Sequence, residues 1–229
     1  MPRAARFAPG GIVYHVLNRA VGRSGIFDDE GDYLAFDKVL AEAVQKHRMR
    51  LLAHCLMPNH FHLVLWPALD GDLSIFTRWL STTHVRRWHQ HRHTWGRGHV
   101  YQGRFKSFPV QTDEHLLGVC RYVERNALRA RLVERAEDWP SCSLGQRGRQ
   151  QEEPKLSDWP VERPTDWLWW VNEPKTDKEL APGAGMRGAW EAVWSEAVAD
   201  ADGAAAGLGV HLQAAWPVAA PASDEGDEP

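Results

Sequence analysis

His60 and His62 stand one residue apart in MPNHFHLVLWP, residues 57–67, a run that is otherwise almost wholly apolar. Alternate residues of a strand share one face, so two such rings, roughly 7 Å apart along the chain, can converge on a single point. Two neutral imidazoles aimed at one point are half of a ligand set for a divalent metal. The same residues also admit a plainer role, in which one or both rings hydrogen-bond at a strand end beside the turn at Pro58 and Asn59.

A second group follows in LLGVCRYVERNALRA, residues 116–130. Helical spacing puts Gly118, Tyr122 and Asn126 in one row, with Arg129 a turn further on, beside an apolar stripe of Leu116, Cys120, Val123 and Ala127. Tyr122 therefore sits at the rim of a buried face, where Gly118 leaves room for an approaching group. If this helix lies near the sheet edge, Tyr122 and Asn126 can reach the two histidines. Taken singly, the pair also fits an ordinary boundary tyrosine and a surface amide. Candidates for phosphate contact are Arg104 and Lys106, same-face neighbours in YQGRFKSF, and Asn18 and Arg19 at the end of an earlier strand; the alternative is a solvated edge. His15 and His54 read as hydrogen-bonded strand histidines.

The elements that must position these residues follow from periodicity. Residues 11–20 alternate as a strand, 29–47 carry Tyr33, Phe36, Leu40 and Val44 at helical spacing, and 50–57 with 60–66 form two strands around a tight turn. A helix over 73–90, a strand over 100–111 and a helix from Thr112 to about Ala130 complete the order β-α-β-β-α-β followed by a helix. That order predicts an α+β, ferredoxin-like fold: an antiparallel sheet with helices packed on one face, plus a C-terminal extension. The expected organisation is a catalytic domain over residues 1–145, a Trp-rich extension over 146–198 with Trp159, Trp167, Trp169 and Trp170 lying back on the domain, and an acidic, disordered tail over 199–229.

Charge divides in the same place. Residues 1–150 hold 22 Lys and Arg against 14 Asp and Glu, whereas residues 151–229 hold 5 against 16. Nineteen of the 22 cations are arginine, whose planar fork of donors suits phosphate. Three cysteines without a CxxC pair indicate neither a disulfide framework nor a thiolate zinc site. No apolar run is long enough for a membrane span, and the start, MPRAARFAPGG, lacks a secretory signal. A cytoplasmic protein with no membrane partner is expected.

Three motifs in order, MPNHFH, YQGRFK and RYVERNALRARLV, resemble those of HUH-type single-tyrosine transposases, within them the REP-associated subgroup. The resemblance extends over about residues 8–145. It implies a ferredoxin-like nuclease that binds hairpin-bearing single-stranded DNA, as monomer or homodimer, and cuts and rejoins it through a 5′-phosphotyrosine. In that family pattern His60, His62 and Asn126 hold a divalent Mg²⁺ or Mn²⁺ and Tyr122 is the nucleophile; Arg104, Lys106, Asn18, Arg19 and Arg129 are this sequence's own candidates for DNA contact. Phosphotyrosine chemistry conserves the ester bond energy, in keeping with a sequence that has no GxxxxGK[ST] nucleotide loop. Two alternatives stay open: a domesticated hairpin DNA or RNA binder without turnover, and a metal-dependent nuclease in which water attacks. The sequence departs from many relatives in having Ala127 after Asn126 where they have proline, and in its acidic C-terminus.

Overall fold

The computed structural model describes residues 8–112 and 114–174, so the segment 175–198 and the acidic tail over 199–229 lie outside the described residues. Four antiparallel strands, β1 (Val13–Arg19), β2 (Arg50–Met57), β3 (His60–Trp66) and β4 (Lys106–Val110), form a sheet of order β2-β3-β1-β4. The helices are α1 (Glu30–His47), α2 (Asp72–His91), α3 (Glu114–Glu124), α4 (Asn126–Arg129), α5 (Ser143–Gly148) and α6 (Trp167–Asn172). No described helix is long and apolar enough to cross a membrane.

The mixed α and β architecture with an antiparallel four-stranded sheet is the one expected from the sequence, but the helices cover both faces rather than one. Strand alternation explains why both faces are apolar. Tyr14, Val16, Phe61, Leu63 and Leu65 meet Phe36, Leu40, Leu73, Phe76 and Leu80 of α1 and α2 on one side. Val13, Val64 and Val110 meet Leu116, Cys120, Val123 and Ala127 on the other. A bulge in β2 between Leu51 and Ala53 shifts the alternation, leaving Leu51 and Leu56 in the first core and Ala53, Cys55 and Met57 in the second. All three cysteines are buried and free.

Two boundaries differ from expectation. The predicted strand over 100–111 is paired continuously only from Lys106; upstream, a single bridge joins Ala20 to Tyr101. Tyr101 is buried and its hydroxyl bonds His84 Nδ1 of α2 at 2.7 Å. A buried hydroxyl needs such a partner, and meeting it carries the chain toward the α2 side before the ladder begins. The predicted helix from 112 to 130 is divided at Arg125 into α3 and α4.

Downstream residues close the second face. The indoles of Trp139 and Trp159 donate to the carbonyls of Leu56 and Leu52, at 2.8 and 2.9 Å. Trp167 and Val171 are buried and Trp170 packs beside them, whereas Trp169, expected in the same strip, is 60% exposed. In α6 the turn that sends Trp167 and Trp170 inward sends Trp169 out.

Candidate active site

Strand register assembles the site. His60 of β3 pairs with Arg19 of β1 and Met57 of β2, and His62 pairs with Leu17 and Cys55. On the far side of β1, Lys106 pairs with Leu17 and Phe108 with His15. Directly paired residues share a face, so His15, Arg19, His60, His62 and Lys106 all belong to the face that α3 covers.

Three imidazoles meet there. The His60 and His62 ring centroids are 5.0 Å apart and nearly perpendicular; His15 lies edge to edge with His62, centroids 5.1 Å apart and planes within 18°. His15 Nε2 and His62 Nδ1 share a hydrogen bond of 2.9 Å, and His60 Nδ1 lies 2.7 Å from Asn59 Oδ1. The Asn59 amide nitrogen donates to the Arg23 carbonyl at 3.2 Å, which turns its oxygen toward His60. An amide oxygen only accepts, so His60 carries its proton on Nδ1 and would coordinate through Nε2. Burial, with Arg19 nearby, lowers His60 to a pKa of about 3; burial alone lowers His15 to about 4. Burial also drives His62 well below the usual range, followed by the charges of His60, His15, Arg129 and Arg19. All three rings are therefore neutral at pH 7, as ligand chemistry requires.

The Tyr122 ring stands edge-on to His62 at 5.6 Å and to His15 at 5.9 Å, and the Arg129 guanidinium carbon lies 5.0 Å from its centroid. Burial raises the phenol pKa; the Arg129 charge and hydrogen bond and the Asn126 amide pull it back without cancelling the rise. Gly118, one turn earlier, is exposed, and a side chain added there would meet nothing within 4 Å. The half-buried tyrosine is thus open toward solvent along one side of α3.

The opposite side of α3 is bolted to the C-terminal strip. Arg121 donates to the Trp170 carbonyl at 2.8 Å and to that of Glu173, and Arg125 to those of Val171 and Asn172 at 2.6 and 2.5 Å. Glu124 is fully buried and binds Ser143 Oγ at 2.6 Å, Trp167 Nε1 at 2.7 Å and Arg147. These contacts leave Glu124 facing away from Tyr122, as the helical spacing indicates, and they fix the rotation of α3.

The residues fit a divalent ion. Among the described residues no three or more His, Cys, Asp and Glu side chains are grouped to hold a metal; His60 and His62 offer two neutral imidazoles with ring centroids 5.0 Å apart. The buried Asn126 amide, which lowers the Tyr122 phenol by hydrogen bonding, carries an uncharged oxygen of the kind that could complete such a set. Two imidazoles and an amide are an uncharged set, which would leave an ion's full charge to face a phosphate.

The other candidates divide. Arg19, adjacent to His60, perturbs both His60 and Lys106, whose ammonium is lowered first by burial and then by Arg19. Arg104 is exposed on the loop before β4 and not on the strand, so it does not share a strand face with Lys106. Asn18 pairs with Phe61 and belongs to the other face; its oxygen accepts from the Arg19 amide at 2.9 Å, and its nitrogen donates to the Gly103 carbonyl at 3.4 Å. It is a strand-end residue and is not brought to the rings. His15 and Asn59 were not singled out as site residues. His15 is hydrogen-bonded as expected, but its partner is His62, and the signal available was its place three strand positions from Asn18 on the face of Val13 and Leu17.

Comparison with known proteins bears on the same segment. The family model described as "Transposase IS200 like" matches residues 10–126. A protein of Haemophilus influenzae named "Putative REP-associated tyrosine transposase" is 24% identical over 122 residues, covering 49% of this chain and 69% of that one. Among solved structures, a REP-associated tyrosine transposase bound to a REP hairpin superposes with a TM-score of 0.52 at 16% identity, covering 71% of this chain and 95% of that one, a likeness of fold.

Proposed function

From the premise that the chain belongs to the IS200-like transposase family, we propose that it binds hairpin-bearing single-stranded DNA and cuts and rejoins it through a phosphotyrosine at Tyr122. The observation that carries this reading is the contact of the Tyr122 ring with both His62 and the Arg129 guanidinium. A phosphodiester resists attack because its anionic oxygens repel nucleophiles and its alkoxide leaves poorly. A divalent ion held by His60, His62 and Asn126, Mg²⁺ or Mn²⁺, would supply Lewis-acid polarisation of the scissile phosphate. The imidazole pair favours Mn²⁺ over Mg²⁺ as the tighter binder.

The chain's own groups do the rest. Tyr122 Oη gives up its proton to solvent and attacks phosphorus; the bond from phosphorus to O3′ breaks and the departing O3′ takes a proton from solvent, leaving a 5′-phosphotyrosine and a free 3′-hydroxyl. Phenol protonated at neutral pH must lose its proton in this step, and Arg129 stabilises the phenolate that forms. Rejoining reverses the step on another 3′-hydroxyl without ATP. Arg19 and Lys106 border the rings and would hold phosphates entering along β1 and β4, while Arg104 would contact DNA from the loop.

Denaturing electrophoresis after incubation with a labelled hairpin oligonucleotide tests this. A protein-linked label that needs Tyr122 supports it; cutting without any adduct points to attack by water, and binding without cutting to a non-catalytic hairpin binder.

A further inference from the structure

His60 and His62 reach their metal-binding form by different routes. Asn59 offers His60 only an oxygen, so the His60 proton is confined to Nδ1. His62 Nδ1 instead meets His15 Nε2 at 2.9 Å, and an imidazole nitrogen can either donate or accept. Two arrangements of the same bond are therefore available. If His15 donates, His62 accepts at Nδ1, carries its proton on Nε2 and has no lone pair to give a metal. If His15 carries its own proton on Nδ1 and accepts at Nε2, His62 donates from Nδ1 and its Nε2 lone pair is available.

We propose that His15 is the positioning residue of the site: it accepts the His62 Nδ1 proton and so holds His62 in the tautomer that coordinates through Nε2. The inference deepens the proposed metal site and rests on it. Three features of the packing support it. His15 and His62 lie edge to edge, centroids 5.1 Å apart and planes within 18° of each other, so the bond between them runs in the ring planes and leaves the His62 ring little freedom to rotate away. His15 is itself buried and edge-on to Tyr122 at 5.9 Å, so one side chain fixes the ring orientation beside both nucleophile and ligand. Its backbone is held on both sides, by β3 and β4. A group that accepts the distal proton of a ligating histidine fixes its tautomer and raises its basicity, and loss of such a partner weakens metal affinity by about 10–100-fold.

His15→Phe and His15→Gln separate this role from packing. Phenylalanine keeps an aromatic ring beside His62 and removes the acceptor; glutamine places an amide oxygen near the position of Nε2. Mn²⁺ affinity of the DNA-free protein, read by paramagnetic resonance, should fall about 10–100-fold in the phenylalanine variant and return to within about fivefold of wild type in the glutamine variant. Side-chain ¹⁵N spectra of the metal-free wild type should show the His62 proton on Nδ1. A proton on Nε2 overturns the inference whatever the metal does, as do equal affinities in all three proteins or equal losses in both variants. Absence of Mn²⁺ binding by wild type, with the proton on Nδ1, overturns the metal reading instead and removes the inference with it.

Discussion

The Arg129 guanidinium lies 5.0 Å from the centre of the Tyr122 ring, across the one-turn step from α3 into α4. Among the influences on the phenol, Arg129 is the largest that favours ionisation, against burial that opposes it. Arg129→Ala should therefore move the cleavage profile to higher pH and slow cutting at pH 7 by about tenfold or more, through lost phenolate stabilisation. Arg129→Lys restores the charge without the fork of donors and should recover part of the rate. Single-turnover cleavage from pH 6 to 10 measures both; an unchanged profile in Arg129→Ala removes Arg129 from the reaction.

His60→Ala or His62→Ala takes away an imidazole that the uncharged donor set cannot replace. Each should abolish metal-dependent cutting, and Asn126→Ala should weaken it less, because an amide is the poorest of the three donors. Chelation with EDTA should stop the wild type, and excess Mn²⁺ should restore Asn126→Ala before either histidine variant. Metal titrations of cleavage rate read the order directly, and activity that survives chelation would eliminate the ion.

Buried neutral histidines make stability depend on pH. His84 bonds Tyr101 and is lowered by burial alone to a pKa of about 4. The unfolded chain, with histidine near ~6.5, binds the proton first, so this contribution is full above that value and is lost as pH falls toward the folded pKa. Between pH 7 and 5 the loss is about 2 kcal/mol. His84→Asn, which keeps an acceptor near Nδ1 and does not titrate, should be less stable at pH 7 yet lose about 2 kcal/mol less on acidification to pH 5. Denaturant unfolding at the two values checks the difference, and equal losses in both proteins contradict it.

Glu124 is buried among Ser143, Arg147 and Trp167, which assigns it to the fold and not to proton transfer from Tyr122. Glu124→Ala leaves the Trp167 indole and the Arg147 guanidinium without their acceptor and should cost about 3–5 kcal/mol. Any Glu124→Gln protein that remains folded should keep the wild-type pH profile of cleavage. A shift in that profile, measured below the melting temperature, would make Glu124 the base.

Much of this was legible in the sequence because alternation and helical spacing act locally. The HFH pair and the row of Tyr122 and Asn126 fix which faces those side chains occupy before any tertiary contact forms. Helices on both faces were not legible, since their sides depend on crossovers and on the β2 bulge at Leu51 and Ala53, which periodicity alone does not reveal. Asn18 and His15 show the same limit. They stand three positions apart in one strand and so on opposite faces, but only the register with β3 tells which face meets His62. Arg104 was misplaced because Tyr101 draws the chain toward His84 and delays the strand.

The central claim is that Tyr122 becomes covalently joined to DNA. The direct measurement is mass spectrometry of peptides from protein incubated with a hairpin-bearing single strand and Mn²⁺, with Tyr122→Phe in parallel. The account predicts one nucleotide-modified peptide, spanning residues 122–125 after cleavage at arginine, in wild type only, with the phenylalanine variant folded and still binding the hairpin. Strand cleavage by Tyr122→Phe at the wild-type rate, or an adduct on any other residue, would contradict it.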